Sequence, residues 1–315
     1  MITVTVGITI TIVSNSFSSP HLSARLAPMM TRLFWAILVP FFTYLSSATA
    51  ATQISCSHPE LCRLARVIFS ENHINNYEFT SLIKIVGDPH EYEPTTLEVK
   101  NLINAEILIS GPHELNPWVK KVNYQRSKLP QLKSINIPLD KKDYDLYPDA
   151  THESLSHFWL YPKLFCAVKT HMEEQMVALK YLVLTSGRKN CVTEQQKIEN
   201  ELSQTLAKLN LPVVLTHDAL LPLLVSLSKN ASSVVAIKGS GHHQEASTKS
   251  VKNLYDALAA PKVIWIEEAN INVPQNILSK KRSNDFVVKI DTANSEGMDY
   301  FQILQNLNNK LKALK

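Results

Sequence analysis

The sequence predicts an α/β fold: two lobes, each with a four-stranded parallel sheet flanked by helices, joined by a rigid linking helix. Three observations lead there. Short β-branched runs alternate with helical stretches, which is the pattern of parallel sheets covered on both faces. The runs fall into two sets of four. Between the sets lies a helix-rich stretch with no strand candidate.

In the first set, strands are expected at Gln53–Ser55, Tyr77–Ile83, Glu106–Ser110 and Lys133–Ile137. Helices fill the intervals at Glu60–Phe69, Thr95–Asn104 and Leu115–Val122. The middle stretch reads as a helix over Tyr161–Leu184, a break at Thr185-Ser186-Gly187, and a second helix over Cys191–Leu209. In that second helix Ile198, Leu202, Leu206 and Leu209 recur at helical spacing. The second set places strands at Pro212–Leu215, Ser232–Ile237, Lys262–Ile266 and Phe286–Ile290. Its helices are Asp218–Ser228, Thr248–Ala259 and Met298–Ala313. The expected organisation is therefore an extension and signal peptide over 1–50, a first lobe over 51–190, a linking helix over 191–210 and a second lobe over 211–315.

Composition narrows the function. Of 315 residues, 45% are hydrophobic and 19% charged, enough to bury a large core. Seven glycines against 16 prolines exclude collagen-like and Gly/Ser-rich chains. The net charge is +4, and Arg25 and Arg32 are the only charges in the first 50 residues. Without those two arginines, 30 basic residues face 28 acidic ones, which does not suggest a nucleic-acid surface.

Residues 32–50 read as an export signal. Arg32 supplies the positive flank and Leu33–Leu45 the apolar run. Ala48-Thr49-Ala50 places small residues before an expected cut after Ala50. The run is shorter than the roughly 20 residues a membrane span requires. The preceding Thr/Ile/Val-rich segment, upstream of Met29 and Met30, reads as an overlong gene start. Export places the mature chain in the periplasm, where disulfides persist. Cys56 and Cys62 are near enough in sequence to bridge. Cys56 follows Gln53-Ile54-Ser55, which is not a lipoprotein box. Cys166 and Cys191 would stand roughly 30 Å apart on a continuous helix, too far to bridge.

In a doubly wound sheet, ligands collect at the carboxyl ends of strands. Six of the strand candidates end in informative residues. His90 follows the second strand, His113 the third, His217 and Asp218 the fifth, and His242 and His243 the sixth. Glu267 and Glu268 follow the seventh strand and Asp291 the eighth. Imidazole and carboxylate together suit a divalent transition metal, zinc most readily. Local motifs give no help. His152 and His157 are five residues apart, whereas two ligands on one helix face need a spacing of four. A Gly-x-Ser-x-Gly elbow, a phosphate loop and a Cys-x-x-Cys pair are all absent from the sequence.

The block GDPHEYEPTTLEVKNLINAEILISG resembles a segment of the zinc/manganese-type solute-binding proteins of ABC transporters. HFWLYP at 157–162, VVLTHDAL at 213–220 and the closing VVKIDTANSEGMDYFQILQNLNNKLKAL resemble later blocks of the same family, in the same order. The resemblance implies a metal site of His90, His157, His217 and Asp291, two ligands from each lobe. Sequence gaps of 67, 60 and 74 residues separate them, so only the fold can assemble the site. There are departures from the family pattern. Asn116 stands for the usual Glu before Pro117-Trp118, Tyr161 for an Asp, and Thr292 for a Pro. The stretch Asp140–Ser156 lacks the long His-rich loop of many zinc-specific members, leaving His113, His242 and His243 as alternative capture residues.

The function so implied is a periplasmic protein, monomeric and non-enzymatic, that captures Zn2+ in an interlobe cleft. It would deliver the ion to an inner-membrane ABC permease and its ATPase. Relatives selecting manganese often carry a carboxylate where His217 stands, and three imidazoles with one carboxylate suit zinc better. Glu93, Asp218, Glu267 and Glu268 are candidates to fix the imidazole tautomers. The competing readings are a manganese- or iron-binding member of the same family, an exported zinc-dependent enzyme, and an adhesin-like surface protein.

Overall fold

The computed structural model describes residues 51–82, 92–111, 117–137, 139, 141–147, 155, 157–184, 190–228, 233–238, 247–269, 273–292 and 300–314. The signal-like segment, His90, His113, Asn116, His152, His242 and His243 lie outside the described residues.

The first sheet contains β1 (Thr52–Cys56), β2 (Tyr77–Ser81), β3 (Ile107–Ser110) and β4 (Lys133–Asn136) in the order β2-β1-β3-β4. The second contains β5 (Val213–His217), β6 (Val234–Lys238), β7 (Ile264–Glu268) and β8 (Phe286–Ile290) in the order β6-β5-β7-β8. Every pairing is parallel. The expected two-sheet fold is the observed one. Two of the central strands, Ile107–Ser110 and Val213–His217, are buried at every position, as in sheets covered on both faces.

Helices α1 (Pro59–Glu71), α2 (Thr96–Asn104) and α3 (Val119–Arg126) flank the first sheet, followed by a single turn, α4 (Lys141–Tyr144). Thr95 opens α2 with a capping box, its hydroxyl accepting from Glu98 N while the Glu98 carboxylate accepts from Thr95 N. Two long helices follow, α5 (Pro162–Ala178) and α6 (Cys191–Leu209). The second half adds α7 (Leu221–Leu227), α8 (Thr248–Leu258), α9 (Gln275–Leu278) and α10 (Tyr300–Lys312). One apolar core runs through both sheets, joining Ile54, Ile107 and Ile135 to Val213, Ile264 and Val288 by way of Phe158, Tyr161, Leu202 and Leu304. Among the described residues no helix is long and apolar enough to cross a membrane.

One expectation is corrected. Cys166 and Cys191 are bridged, with their Cα atoms 5.7 Å apart. The helix carrying Cys166 is not continuous to Cys191. It stops at Ala178, Lys180 adopts φ 63°, and α6 begins anew at Cys191 against α5. The 30 Å separation assumed a straight rod that the chain does not form. Cys56 and Cys62 are bridged as well, linking β1 to α1.

The strand orders place a topological switch point between β1 and β3 in one sheet and between β5 and β7 in the other. Such points open a crevice at the carboxyl ends of the strands. Glycine is required at one of them. Gly111 follows β3 with φ 117°, and a Cβ there would lie 2.2 Å from Ile137 O.

Candidate metal centre

His217 is the last residue of β5 and Glu268 the last of β7, so the second switch point is lined by an imidazole and a carboxylate. Oε2 of Glu268 lies 3.2 Å from Nδ1 of His217. With the carboxylate as acceptor, this contact pairs with the Nδ1–H tautomer, the one that leaves Nε2 to ligate a cation. Asp218 Oδ1 stands 3.8 Å from that Nε2. Thr216 anchors the strand end: its hydroxyl accepts from Glu268 N at 3.0 Å. One Glu268 oxygen, Oε1, is buried without a hydrogen-bond partner. A buried carboxylate oxygen left open beside an imidazole is a donor set that fits a cation.

His157 comes from the other half of the chain, immediately before a single 3-10 turn, Phe158–Leu160. Its carbonyl accepts from Leu160 N at 2.8 Å, which closes the turn. His157 and His217 are 6% and 7% exposed, and their rings meet edge to face at 6.1 Å between centroids. Residues sixty positions apart are thus brought together. Asp291 follows β8, half-buried, beside Thr292. Among the described residues, no three His, Cys, Asp or Glu side chains form a metal-holding group. Of the candidate tautomer-fixing residues, Glu268 is in contact with His217. Glu267 pairs instead with Lys281, and Glu93 is exposed.

Three residues near the pair were not legible as site residues. Trp159, 1% exposed, sets its ring 5.2 Å from His157 and donates from Nε1 to Thr292 O at 2.8 Å. Thr292, where the family pattern usually has proline, donates its hydroxyl to Glu268 Oε2 at 2.6 Å. The third is His58, just past β1. The sheet registers align Ile54 with Ile107 and Val213 with Ile264, and four residues on stand His58 and His217. Both histidines thus stand at the carboxyl end of the first strand of their sheet, His58 two residues past β1 and His217 as the last residue of β5. Their chemistry differs. His58 Nδ1 accepts from Glu60 N and caps α1, and its ring stacks on Trp159 at 4.8 Å. Its place after the first strand was the available sequence signal.

A family model described as the periplasmic zinc-uptake complex component A, ZnuA, matches residues 54–314. The chain belongs to the ZnuA family. As a member it is a non-enzymatic, metal-binding solute-binding protein. No curated protein sequence matches the chain. Among solved structures it is similar in fold to ZnuA itself, at 18% identity and a TM-score of 0.56, over 83% of this chain and 97% of that one. The AdcAII protein of Streptococcus pneumoniae gives 14% identity and a TM-score of 0.61, over 85% of this chain and all of that one. The periplasmic zinc-binding protein TroA of Treponema pallidum gives 16% and 0.57, over 83% and 98%. At these identities the likeness speaks to the fold, and membership in the ZnuA family rests on the match over 54–314.

Proposed function

We propose that this member of the ZnuA family is an exported, monomeric zinc carrier. It would bind one Zn2+ in the cleft between its lobes, 51–190 and 211–315 on either side of the 191–210 helix, and hand it to an inner-membrane ABC permease driven by its ATPase. The ligands proposed are His90, His157, His217 and Asp291. The observation that carries the reading is the meeting of His157 with His217, whose Nδ1 lies 3.2 Å from Glu268 Oε2. Zinc accepts imidazole nitrogen and carboxylate oxygen in a tetrahedral set. A third imidazole at His217, rather than a carboxylate, favours zinc over manganese. Relatives of this fold described as zinc-binding, such as TroA, support the same cargo. Carriage without catalysis needs no general base and no coordination position kept open for substrate. Binding requires neutral imidazoles and releases protons, so affinity falls as the pH drops.

Metal analysis of the purified protein, with competition titrations of wild type, His157→Ala and His217→Ala, tests the proposal. Zinc co-purifying in one equivalent and lost in both variants is the expected result. Unchanged affinity in both variants removes the site. Manganese as the retained metal overturns the choice of cargo.

A further inference from the structure

We propose that Thr292 is a positioning residue for the metal centre, fastening Glu268, and through it His217, to Trp159 in the segment that carries His157. The inference rests on His217 being a metal ligand, as proposed above.

Five contacts carry it, and they close a ring. Trp159 donates its indole N–H to the Thr292 carbonyl at 2.8 Å. The Thr292 hydroxyl donates to Glu268 Oε2 at 2.6 Å. The same Oε2 lies 3.2 Å from His217 Nδ1. The His217 ring meets His157, which in turn packs its ring against Trp159. Trp159 and Thr292 are 133 residues apart, so one residue uses its backbone and its side chain to tie two distant parts of the chain.

Burial gives the ring its force. Thr292 is 6% exposed and Glu268 5%, so solvent does not replace a missing donor there. Glu268 Oε1 already lacks a partner, and Oε2 is the one oxygen that fixes the carboxylate plane. Without the hydroxyl, that carboxylate is free to rotate about its terminal torsion, which is broad by nature. His217 then loses the acceptor that selects its Nδ1–H tautomer. The imidazole samples the form whose Nε2 is protonated and cannot ligate.

The test uses the full chain in three variants: Thr292→Val, which removes the hydroxyl at similar size; Thr292→Ser, which restores it; and Trp159→Phe, which removes the indole donor and keeps a ring. Zinc affinity is measured by competition with a chromophoric chelator. The tautomer of His217 in metal-free protein is read from long-range imidazole 1H–15N spectra, in conditions where histidines are neutral. Outer partners of metal ligands are commonly worth 10–100-fold, and Thr292 acts one bond further out, so T292V is expected to weaken zinc binding about tenfold. It should also give mixed His217 tautomers. T292S should restore both readings, and W159F should shift them in the direction of T292V. A wild-type spectrum showing the Nε2–H tautomer overturns the inference without any variant, even if a variant fails to fold. So does a T292V protein with wild-type affinity and wild-type tautomer. If His217→Ala also binds zinc normally, the metal-site reading itself has failed. If His217→Ala loses zinc while T292V keeps it, only the role of Thr292 has.

Discussion

The carboxylate of Glu268 lies 3.2 Å from Nδ1 of His217, at the carboxyl ends of two adjacent parallel strands. Parallel pairing of β5 with β7 brings these strand ends side by side at the switch point, and Thr216 fixes the strand end by accepting from Glu268 N. An anionic acceptor on one imidazole nitrogen raises the basicity of the other. Glu268→Gln keeps the shape and removes the charge. Zinc affinity is expected to fall roughly 10–100-fold with the fold retained. Competition titration measures the affinity, and circular dichroism checks the fold. Equal affinity in E268Q and wild type would show that the contact serves only the strand end.

The fold was legible because its signals are local. The eight strand candidates match the eight strands, and Phe286–Ile290 matches to the residue. Misreadings fall where polar residues continue a ladder. His217 and Glu268 belong to their strands because parallel pairing runs through them, although composition suggests that the strands stop earlier. The helix ending at Ala178 was read too long because Tyr181, Leu182, Val183 and Leu184 continue an apolar pattern after Lys180 has turned the chain. At the site, strand ends mark His217 and the resemblance marks His157. Trp159 lies in the family-like block HFWLYP and Thr292 stands out only as a departure from the pattern, and nothing in the sequence pairs the two. Their contact spans 133 residues and uses a backbone carbonyl, which no residue pattern encodes.

Arg126 should matter for stability and not for metal. It is 2% exposed and donates to the carbonyls of Leu102, Ile103 and Ala105, which end α2, and to Ser134 Oγ and the Lys133 carbonyl beside β4. Desolvation lowers its pKa to about 10, yet it stays charged at neutral pH. Arg126→Met leaves several buried carbonyls without donors. A loss of about 3 kcal/mol is expected in urea unfolding. Zinc affinity should not change, because these contacts lie at the amino ends of β3 and β4, opposite the switch point.

The two disulfides should differ in reactivity. Cys56 and Cys62 are fully buried, whereas Cys191 is half-exposed at the start of α6. Mild reductant with iodoacetamide should alkylate Cys166 and Cys191 first, as seen by peptide mass spectrometry. The Cys166–Cys191 bridge spans 25 positions of chain, including the turn between α5 and α6. Cys166→Ser together with Cys191→Ser is expected to cost about 3 kcal/mol, the size of the loop-closure entropy returned to the unfolded chain. Alkylation of Cys56 and Cys62 at the same rate would refute the difference.

Asp285 gives a pH dependence with a definite sign. Its enclosed carboxylate accepts from Val263 N, Arg282 N, the Arg282 guanidinium and Trp265 Nε1. Burial by itself would raise its pKa, but these hydrogen bonds outweigh it and hold the group below the ordinary value of 3.8. The unfolded chain therefore takes up the proton more readily than the folded one. Stability from this group is fully present above about pH 5 and declines as pH falls through 3.8 towards the lower folded value. Asp285→Asn is neutral at every pH and lacks that contribution. The gap in unfolding free energy between wild type and D285N should be widest near pH 7 and shrink below pH 4. Urea unfolding at pH 7, 5 and 3 measures it, and a gap independent of pH would show that Asp285 is no more acidic in the folded chain than in the unfolded one.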